Sequence, residues 1–551
     1  MKIQHILIVF LALLMSKTLY SQKFNEQEVI TAAGDELARN MHGLALPGYP
    51  KPFFISYAIS HMSSTRISAS RGTILSYDET PSMNSASVRL LIGDYKETSE
   101  ALYGEPGAMV SLPMEASANS VKRAFWNMSD VSYREALNIY GRKMSFLKQN
   151  PITGKMKDIA DFEEIKTNSY MPDSAPKEIV NSEQIKDVMR QLSGIFSNYN
   201  AIANSSVQFE NLSYTAYQLT SEGTLTKSLH GLTNLTINAS MVLENGTVLS
   251  DAMKITVGKI SEMPTLSEMK ESIVTFIDNI IALSKAKYAE EKYKGPVLFD
   301  NSTYSVYLTG SLLNPGALIA IRPQIGQALG DPFSLRLGEN ILDERLSIKN
   351  YTSLKEYNGK KLLGSYDVDA DGVTPNPEMI LIENGNIASV MNGRIPTAGA
   401  EKSTGSSRWK IGQTPSTVVA PGTIHYIAKE TTKESSMKKQ LLKAAKKAKK
   451  DYAYIVKRIS TGLSLIYQIN VDTEEETLVR GIQLPLLDLD VFKDDILHIS
   501  DEEKVMNGLS PSNTPISFIA PKSMIIDDVQ FNVVPIPATN IVHLEVPSTR
   551  K

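Results

Sequence analysis

Long stretches of the chain alternate apolar and polar residues, the period-two spacing of strands that bury one face. The runs Pro52–Ser60, Arg66–Tyr77 and Ser87–Tyr95 follow one another and predict a meander of strands. A second stretch, Ser205–Asn245, carries a Gly or an Asn-Gly pair near each break, as β-hairpins do. Strands punctuated by Gly and Pro dominate again after Tyr293. The pattern therefore predicts β-sheet in both halves of the chain.

Helical spacing of apolar residues interrupts these strands at several places. The predicted helices are Gln27–Gly43, Ser120–Leu147, Ser182–Tyr199, Pro264–Glu291, Tyr304–Leu313 and Met437–Lys450. Between them, Asn150–Lys177 is polar and contains proline, so it is predicted to be irregular. The fold class is thus α+β. A mixed domain of strands and long helices over residues 22–290 precedes a β-rich domain over residues 291–551.

The composition is that of a soluble globular protein, with 42% hydrophobic and 21% charged residues in 551. The formal net charge of -3 offers no general attraction to a phosphate backbone, so nucleic acid is not an expected partner. The chain has no cysteine. That excludes a thiol nucleophile, a cysteine-based zinc site and an iron–sulfur cluster.

The first residues, 1–21, have the pattern of a secretory signal. Lys2 precedes the apolar run Ile6–Met15, which is too short to span a bilayer. Ser21 offers a small residue at the cut, but Leu19 fits the cleavage pattern poorly, and a retained N-terminal anchor is the alternative. No other stretch predicts a transmembrane segment, so the mature chain is expected to be periplasmic or otherwise exported.

An acidic segment, Asp367–Glu378, satisfies the calcium-loop pattern D-x-D-x-D-G-x5-E. Its carboxylates would come from Asp367, Asp369, Asp371 and Glu378. Prolines interrupt its second half, and apolar strands rather than helices flank it. The alternative is an acidic tight turn, in which Asp and Gly favour the backbone geometry. The sequence leaves calcium binding open.

Local motifs for hydrolytic chemistry are missing. No two of the seven histidines lie within five residues of each other, so no H-E-x-x-H or H-E-x-x-x-H motif exists. There is no G-x-S-x-G elbow either. Ser403 and Ser406 lie in a glycine-containing loop that could bind an anion or a peptide backbone, or could be only a hairpin loop. The turn Thr220–Thr224 (TSEGT) is equally ambiguous.

The segment Lys438–Lys450 (KKQLLKAAKKAKK) predicts a cationic helix. Such a helix could contact anionic lipid or a phosphate backbone. Its apolar residues Leu441, Leu442, Ala445 and Ala448 form a one-sided stripe. A solvated surface helix with that stripe against the protein is therefore the simpler interpretation.

A set of short motifs then occurs in one order along the chain. They are KPFFISYAIS, SVRLLIGDYKET, VKRAFWNMSDVSYREALNIYGRK, TSEGT, YDVDADGVTPNPEMILIENGNIASVMNGR, STGSSRW, TPSTVVAPG, VRGIQL and ISFIAPKSMIIDDVQF. Within the third, an R-x-x-W…D…Y-x-x-A-L frame is filled by Arg123, Trp126, Asp130, Tyr133, Ala136 and Leu137. In this order the chain resembles the TldD/PmbA metallopeptidase family over most of its mature length. The resemblance implies TldD/PmbA-like N-terminal and C-terminal domains.

The resemblance fails at the zinc motif. Zinc-bearing members of that family carry H-E-x-x-x-H on a helix that follows a G-x-V-x-L strand. Here Gly295–Phe299 (GPVLF) matches the strand, and the ligand positions fall near Leu308, Thr309 and Leu313. No His or Glu occurs between Asp300 and Gln327, and the additional cysteine ligand has no counterpart. We therefore predict no catalytic, cofactor-binding or metal-binding residue and no cofactor.

The resemblance is closer to the metal-free, PmbA-type members, which pair with a zinc-bearing relative and help to enclose its cleft. It implies a subunit that pairs with a zinc-bearing TldD-like paralogue and acts on a peptide substrate without being independently catalytic. One alternative is a stand-alone peptide-binding or scaffolding protein. Another is a hydrolase with a different constellation around His425 and residues 403–408.

Overall fold

The computed structural model describes residues 24–100, 107–113, 116–152, 154–173, 180–323, 331–458 and 463–534. The predicted signal segment, 1–21, lies outside these ranges. Within them, helices alternate with long strands in the first half and short strands dominate the second half. The predicted α+β class is confirmed.

Each predicted helix is present, with ends that differ from the expected ones. The helices are α1 (Glu26–Gly43), α2 (Ala118–Gln149), α3 (Ser182–Gly194), α4 (Leu266–Lys285), α5 (Asn301–Leu312), α6 (Glu434–Lys447) and α7 (Leu489–Asp494). The short α7 was not predicted, because six residues are too few to show a period. None of the described helices is both long and apolar enough to cross a bilayer.

One long sheet organises the first half of the chain. Its seven strands within the described residues are β1 (Pro52–Ser70), β2 (Thr73–Ile92), β3 (Gly107–Leu112), β4 (Ser169–Tyr170), β5 (Asn204–Thr220), β6 (Leu225–Val242) and β7 (Val248–Val257). Their order is β3-β2-β1-β5-β6, with β4 and β7 both paired to β6. We call this the seven-stranded sheet.

The turn between β1 and β2 corrects one detail of the predicted meander. Arg71 and Gly72 both have positive φ, 46° and 82°, as the two central residues of a type I′ hairpin turn require. The run Arg66–Tyr77, predicted as one strand, therefore crosses a hairpin. The alternating pattern hid the turn because the pattern continues on both sides of it.

The two faces of the seven-stranded sheet have different neighbours. Ile55, Tyr57 and Ile59 point to α1 and α2, and the far end of the same face packs against α3 and α4. On the opposite face the buried residues are Ala58, Met62, Leu212, Tyr214, Ala216 and Leu232, which contact Ala370, Trp409 and Ile411 of the second half. Because side chains alternate along a strand, the sheet contributes residues to a core with the helices on one face and to a core with the second half on the other.

The described residues of the second half form two larger sheets and two ribbons. Its strands are β8 (Lys287–Tyr288), β9 (Tyr293–Asp300), β10 (Leu346–Tyr351), β11 (Glu356–Tyr357), β12 (Lys360–Lys361), β13 (Glu378–Glu383), β14 (Asn386–Ile387), β15 (Ser407–Trp409), β16 (Thr417–Val419), β17 (Thr423–Ala428), β18 (Tyr452–Arg458), β19 (Ser464–Asn470), β20 (Glu476–Arg480), β21 (Ile482–Gln483), β22 (Ile496–Ile499), β23 (Glu503–Leu509), β24 (Pro515–Pro521) and β25 (Ser523–Val533). One sheet runs β21-β25-β9-β18-β19-β20-β8 with β22 beside β25, and the other runs β14-β13-β10-β17-β24-β23.

Helix α5 lies in the core that these two sheets share. Val297 and Phe299 of β9 point into that core, where they join Leu308 of α5. Leu298, between them, points to the other face and packs against α6. The apolar stripe of α6 therefore faces the sheet, as its one-sided pattern indicated. Its Lys438 and Lys446 pair with acidic neighbours on the surface.

Helix α4 ends where the chain passes from the seven-stranded sheet to the sheets of the second half. Thr265 and Glu268 form a capping box that starts the helix, and it ends at Lys285 rather than at the predicted Glu291. The next residues form β8, which pairs with β20 of the second half. The strand pairing shortens the helix, and the helical pattern alone could not show it. The boundary near residue 290 stays a prediction.

Truncation of Leu308 tests whether this position belongs to the core. Leu308 is fully buried, whereas Val306 on the same helix is 51% exposed. We expect Leu308→Ala to lower the free energy of unfolding by about 2–5 kcal/mol through lost burial and a cavity. Val306→Ala should change it by about 0.5 kcal/mol or less. Urea unfolding of both variants measures this, and equal effects would contradict the packing described.

Candidate functional site

Helix α5 occupies the place predicted for a zinc helix but presents no ligand. The Asp300 side chain caps it by accepting a hydrogen bond from the Thr303 amide at 3.0 Å. Leu308 is buried, and the Thr309 hydroxyl lies 2.9 Å from the Tyr426 hydroxyl. Leu313 closes the helix through its amide. Zinc requires imidazole, thiolate or carboxylate ligands, so these side chains do not fit the metal.

Beyond α5 the chain leads to a cavity of about 270 Å³ between the seven-stranded sheet and the second half. We call it the junction cavity. Its charged and amide-bearing lining residues are Arg89, Glu100, Arg322, Asp371, Asn392 and Arg394. The first two come from the N-terminal part and the others from the C-terminal part. The cavity exists only because the two parts pack together.

One link across this junction is a buried ion pair. Arg394 donates to both carboxylate oxygens of Glu222, at 2.9 and 2.7 Å. The same guanidinium donates to the Glu163 carbonyl and lies 4.1 Å from the centre of the Phe162 ring. Glu222 belongs to the TSEGT turn, and Arg394 ends the ASVMNGR segment. Two motifs that the sequence could only order along the chain therefore meet in space.

A second buried cluster joins Asp161, Lys143 and Arg322. Arg322 donates to Asp161 at 2.6 Å and to the Ala160 and Pro396 carbonyls at 2.5 and 3.0 Å. Lys143 contacts the other oxygen of Asp161 and donates to the Thr98 carbonyl at 2.8 Å. Burial lowers the pKa of both cations. Two cations thus share one carboxylate beside the cavity.

Sequence reasoning missed these clusters, although one signal was available. Lys143 occupies a position on the apolar stripe of α2, in register with Ala136 and Ile139. A lysine on a buried helix face needs a partner, so it could have been flagged. Nothing local indicated that the partner is Asp161, which lies within the segment Asn150–Lys177 predicted to be irregular.

The acidic segment does not gather its carboxylates. Asp367 accepts from the Tyr170 hydroxyl at 2.9 Å, and Glu378 pairs with Lys349 at 2.5 Å. Asp369 accepts from the Val373 and Ser407 amides at 2.8 and 3.1 Å. Asp371 lines the junction cavity. Within the described ranges, no three His, Asp or Glu side chains group as a metal site would require.

The glycine-containing loop at residues 403–408 forms hydrogen bonds within the protein. The Ser403 amide donates to Glu163 at 2.5 Å, and the Ser407 amide donates to Asp369. The Ser406 hydroxyl lies 2.8 Å from the Thr404 hydroxyl. These amides hold the junction together and do not form an open cradle for an anion.

His425 lies in a different environment from that loop. Its Nε2 is 2.8 Å from Glu503, which also accepts from the Tyr357 hydroxyl. The hydrogen bond with His425 lowers the pKa of Glu503. Among the described residues, no hydrogen bond joins His425 to Ser403 or Ser406. The structure therefore does not assemble the hydrolase constellation considered from the sequence.

A second, smaller cavity of about 180 Å³ lies on the other side of the acidic segment. Arg408, one of its lining residues, is buried and donates to the Pro421 carbonyl at 2.8 Å, with its guanidinium 4.0 Å from the Tyr366 ring centre. His230 lines the same cavity, and its Nε2 has no hydrogen-bond partner in the part of the chain that the structure describes. Burial, aided by the charge of Arg408, lowers the pKa of His230 to about 3.

Removal of Glu222 tests the ion pair across the junction. Glu222→Ala leaves the Arg394 guanidinium buried without its carboxylate, and we expect a loss of about 3–5 kcal/mol in the free energy of unfolding. The matched control is Glu356→Ala, which breaks an exposed pair with Lys361 and should cost about 0–1 kcal/mol. Chemical denaturation compares them. Similar losses for both would show that the buried pair contributes no more than a surface pair.

His230 should make stability depend on acidity. In the folded protein the His230 imidazole has a pKa of about 3, whereas the ordinary histidine pKa is 6.5. Between these values the unfolded chain holds one proton more, so stability falls as the pH falls, by about 1.4 kcal/mol per unit. His230→Leu should remove this slope, whereas His42→Leu, at an exposed position, should retain it. Unfolding free energies between pH 3 and 7 decide this.

Comparison with known proteins shows a shared fold. No protein-family model and no curated protein matches the sequence. A candidate modulator of a DNA gyrase from Thermotoga maritima aligns with a TM-score of 0.59 at 13% identity, over 92% of this chain and 100% of its own. TldE from Thermococcus kodakarensis aligns at 0.52 and 12%, over 91% and 99%. A second candidate gyrase modulator, from Bacteroides thetaiotaomicron, aligns at 0.58 and 12%, over 92% and 99%. At such identities the likeness is one of fold.

Proposed function

We propose that this chain is an exported member of the TldD/PmbA metallopeptidase family and acts as its metal-free kind of subunit. It would pair with a zinc-bearing TldD-like paralogue and help to bind peptides for proteolysis. Two observations support the family. The short motifs share the family order, and the fold aligns with TldE over 91% of this chain and 99% of that one.

The observation that carries the metal-free role is the chemistry of α5. Strand β9 leads into α5 where the zinc motif is expected, so the frame of the site is present. Two of the ligand positions are occupied by Leu308, which packs in the core, and by Thr309, whose hydroxyl is hydrogen-bonded to the Tyr426 hydroxyl. A leucine there stabilises the helix as a core element and cannot hold zinc or activate water. Catalysis would therefore have to come from a partner.

Peptide binding is the contribution we infer for this chain itself. The junction cavity is held open by buried ion pairs that fix its walls, as a binding site requires. Its lining combines charged groups with the apolar side chains of Ile321, Ile395 and Val419. Such a mixture suits a peptide, which offers charged ends, amides and apolar side chains.

A second candidate function is a stand-alone peptide-binding protein. One observation favours it: the junction cavity is built entirely from residues of one chain, including Arg89 and Arg394. No second subunit is needed to complete its described walls. In this case the chain would bind peptides without assembling with a zinc-bearing relative.

Co-expression with an exported zinc-bearing relative from the same genome separates the two. We expect the pair to co-purify and elute together in size-exclusion chromatography, with chelator-sensitive peptide cleavage by the complex. The isolated chain should contain much less than one zinc per molecule by elemental mass spectrometry. Stoichiometric zinc in the isolated chain would overturn the proposal, and a chain that ignores the relative would favour the stand-alone role.

A further inference from the structure

One wall of the junction cavity carries a carboxylate that nothing in the described structure satisfies. Asp371 is only 6% exposed, and it lines the cavity. Among the described residues, no hydrogen bond or ion pair reaches its side chain. A largely buried carboxylate that faces a cavity and has no partner in the protein is poorly compensated, so it points to a ligand.

The backbone around Asp371 holds this carboxylate in place. The next residue, Gly372, has φ +92°, and a Cβ there would lie 2.5 Å from Cγ2 of Thr224. The Gly372 carbonyl accepts from the Asn168 side chain at 2.9 Å. Glycine at this position therefore lets the backbone next to Asp371 pack closely against the seven-stranded sheet.

The cations around the cavity already have partners. Arg394 pairs with Glu222, Arg322 with Asp161, and Arg89 with Glu100. The charge of each guanidinium is therefore already balanced by a carboxylate of the protein. Asp371 is the remaining charged group of the described lining, and its charge is available to a bound molecule.

We propose that the junction cavity binds a primary ammonium group through Asp371, and that this group is the N-terminus of a peptide. An ammonium is compact and offers three donors to one carboxylate. The cavity of about 270 Å³ lies just below the ~300–1,000 Å³ typical of small-molecule sites, so the end of a short peptide fits. A metal ion would need further oxygen ligands, and Glu100, the other carboxylate of the described lining, is paired with Arg89. The peptide identity rests on the proposed function.

Calorimetric titration of the full mature chain with two matched peptides tests the assignment. Trialanine offers a free ammonium, and N-acetyltrialanine has the same side chains without it. We expect trialanine to bind roughly 10–100-fold more tightly, as the loss of a charged hydrogen bond predicts. Asp371→Asn should reduce the affinity for trialanine by a similar factor and leave that for the acetylated peptide unchanged. Asp367→Asn is the control, since this carboxylate lies in the same segment but outside the cavity lining.

Each possible result either supports the ammonium site or overturns it. Equal binding of both peptides would overturn the ammonium site while leaving peptide binding, and so the proposed function, intact. No binding of trialanine, or unchanged binding by Asp371→Asn, would also overturn it. Calcium chloride is a third probe, and calcium binding that Asp371→Asn abolishes would assign the carboxylate to a cation instead. If that variant does not fold by circular dichroism, the two peptides on the wild-type chain decide alone.

Discussion

The buried pair between Glu222 and Arg394 is the interaction on which the junction depends. It joins the turn after β5 to the segment after β14, so it fixes the seven-stranded sheet against the second half. The Arg394 side chain is 1% exposed, and removing either partner would leave an unpaired charge in a low-dielectric interior. Such a pair tolerates little displacement, which keeps the cavity beside it in one shape.

Helix α5 and the junction cavity are stabilised in different ways. Helix α5 is stabilised by packing in a core, and Leu308 serves that packing better than a polar ligand would. The cavity walls are stabilised by ion pairs whose members come from distant segments. The two features therefore obey different physical requirements, and each can vary without the other.

The acidic segment shows how a motif changes meaning once its surroundings are known. By pattern alone, Asp367, Asp369 and Asp371 predict one cation shared among them. In the structure they face three environments: a tyrosine hydroxyl, two backbone amides and a cavity. In a continuous strand these alternate residues would share one face, but the segment consists of bends and a turn closed by the Gly372 amide on the Asp369 carbonyl, and this separates their side chains.

The sequence by itself determined the element types, the α+β class and the absence of zinc ligands at Leu308, Thr309 and Leu313. These follow from local periodicity and residue chemistry, which need no knowledge of distant contacts. Tertiary structure alone decided that Glu222 meets Arg394, that Lys143 contacts Asp161, and that the Asp371 side chain has no partner among the described residues. Those partners are separated by many residues, and only the packing of the sheet faces brings them together. Strand pairing likewise ended α4 at Lys285, because β8 competes for the residues that follow.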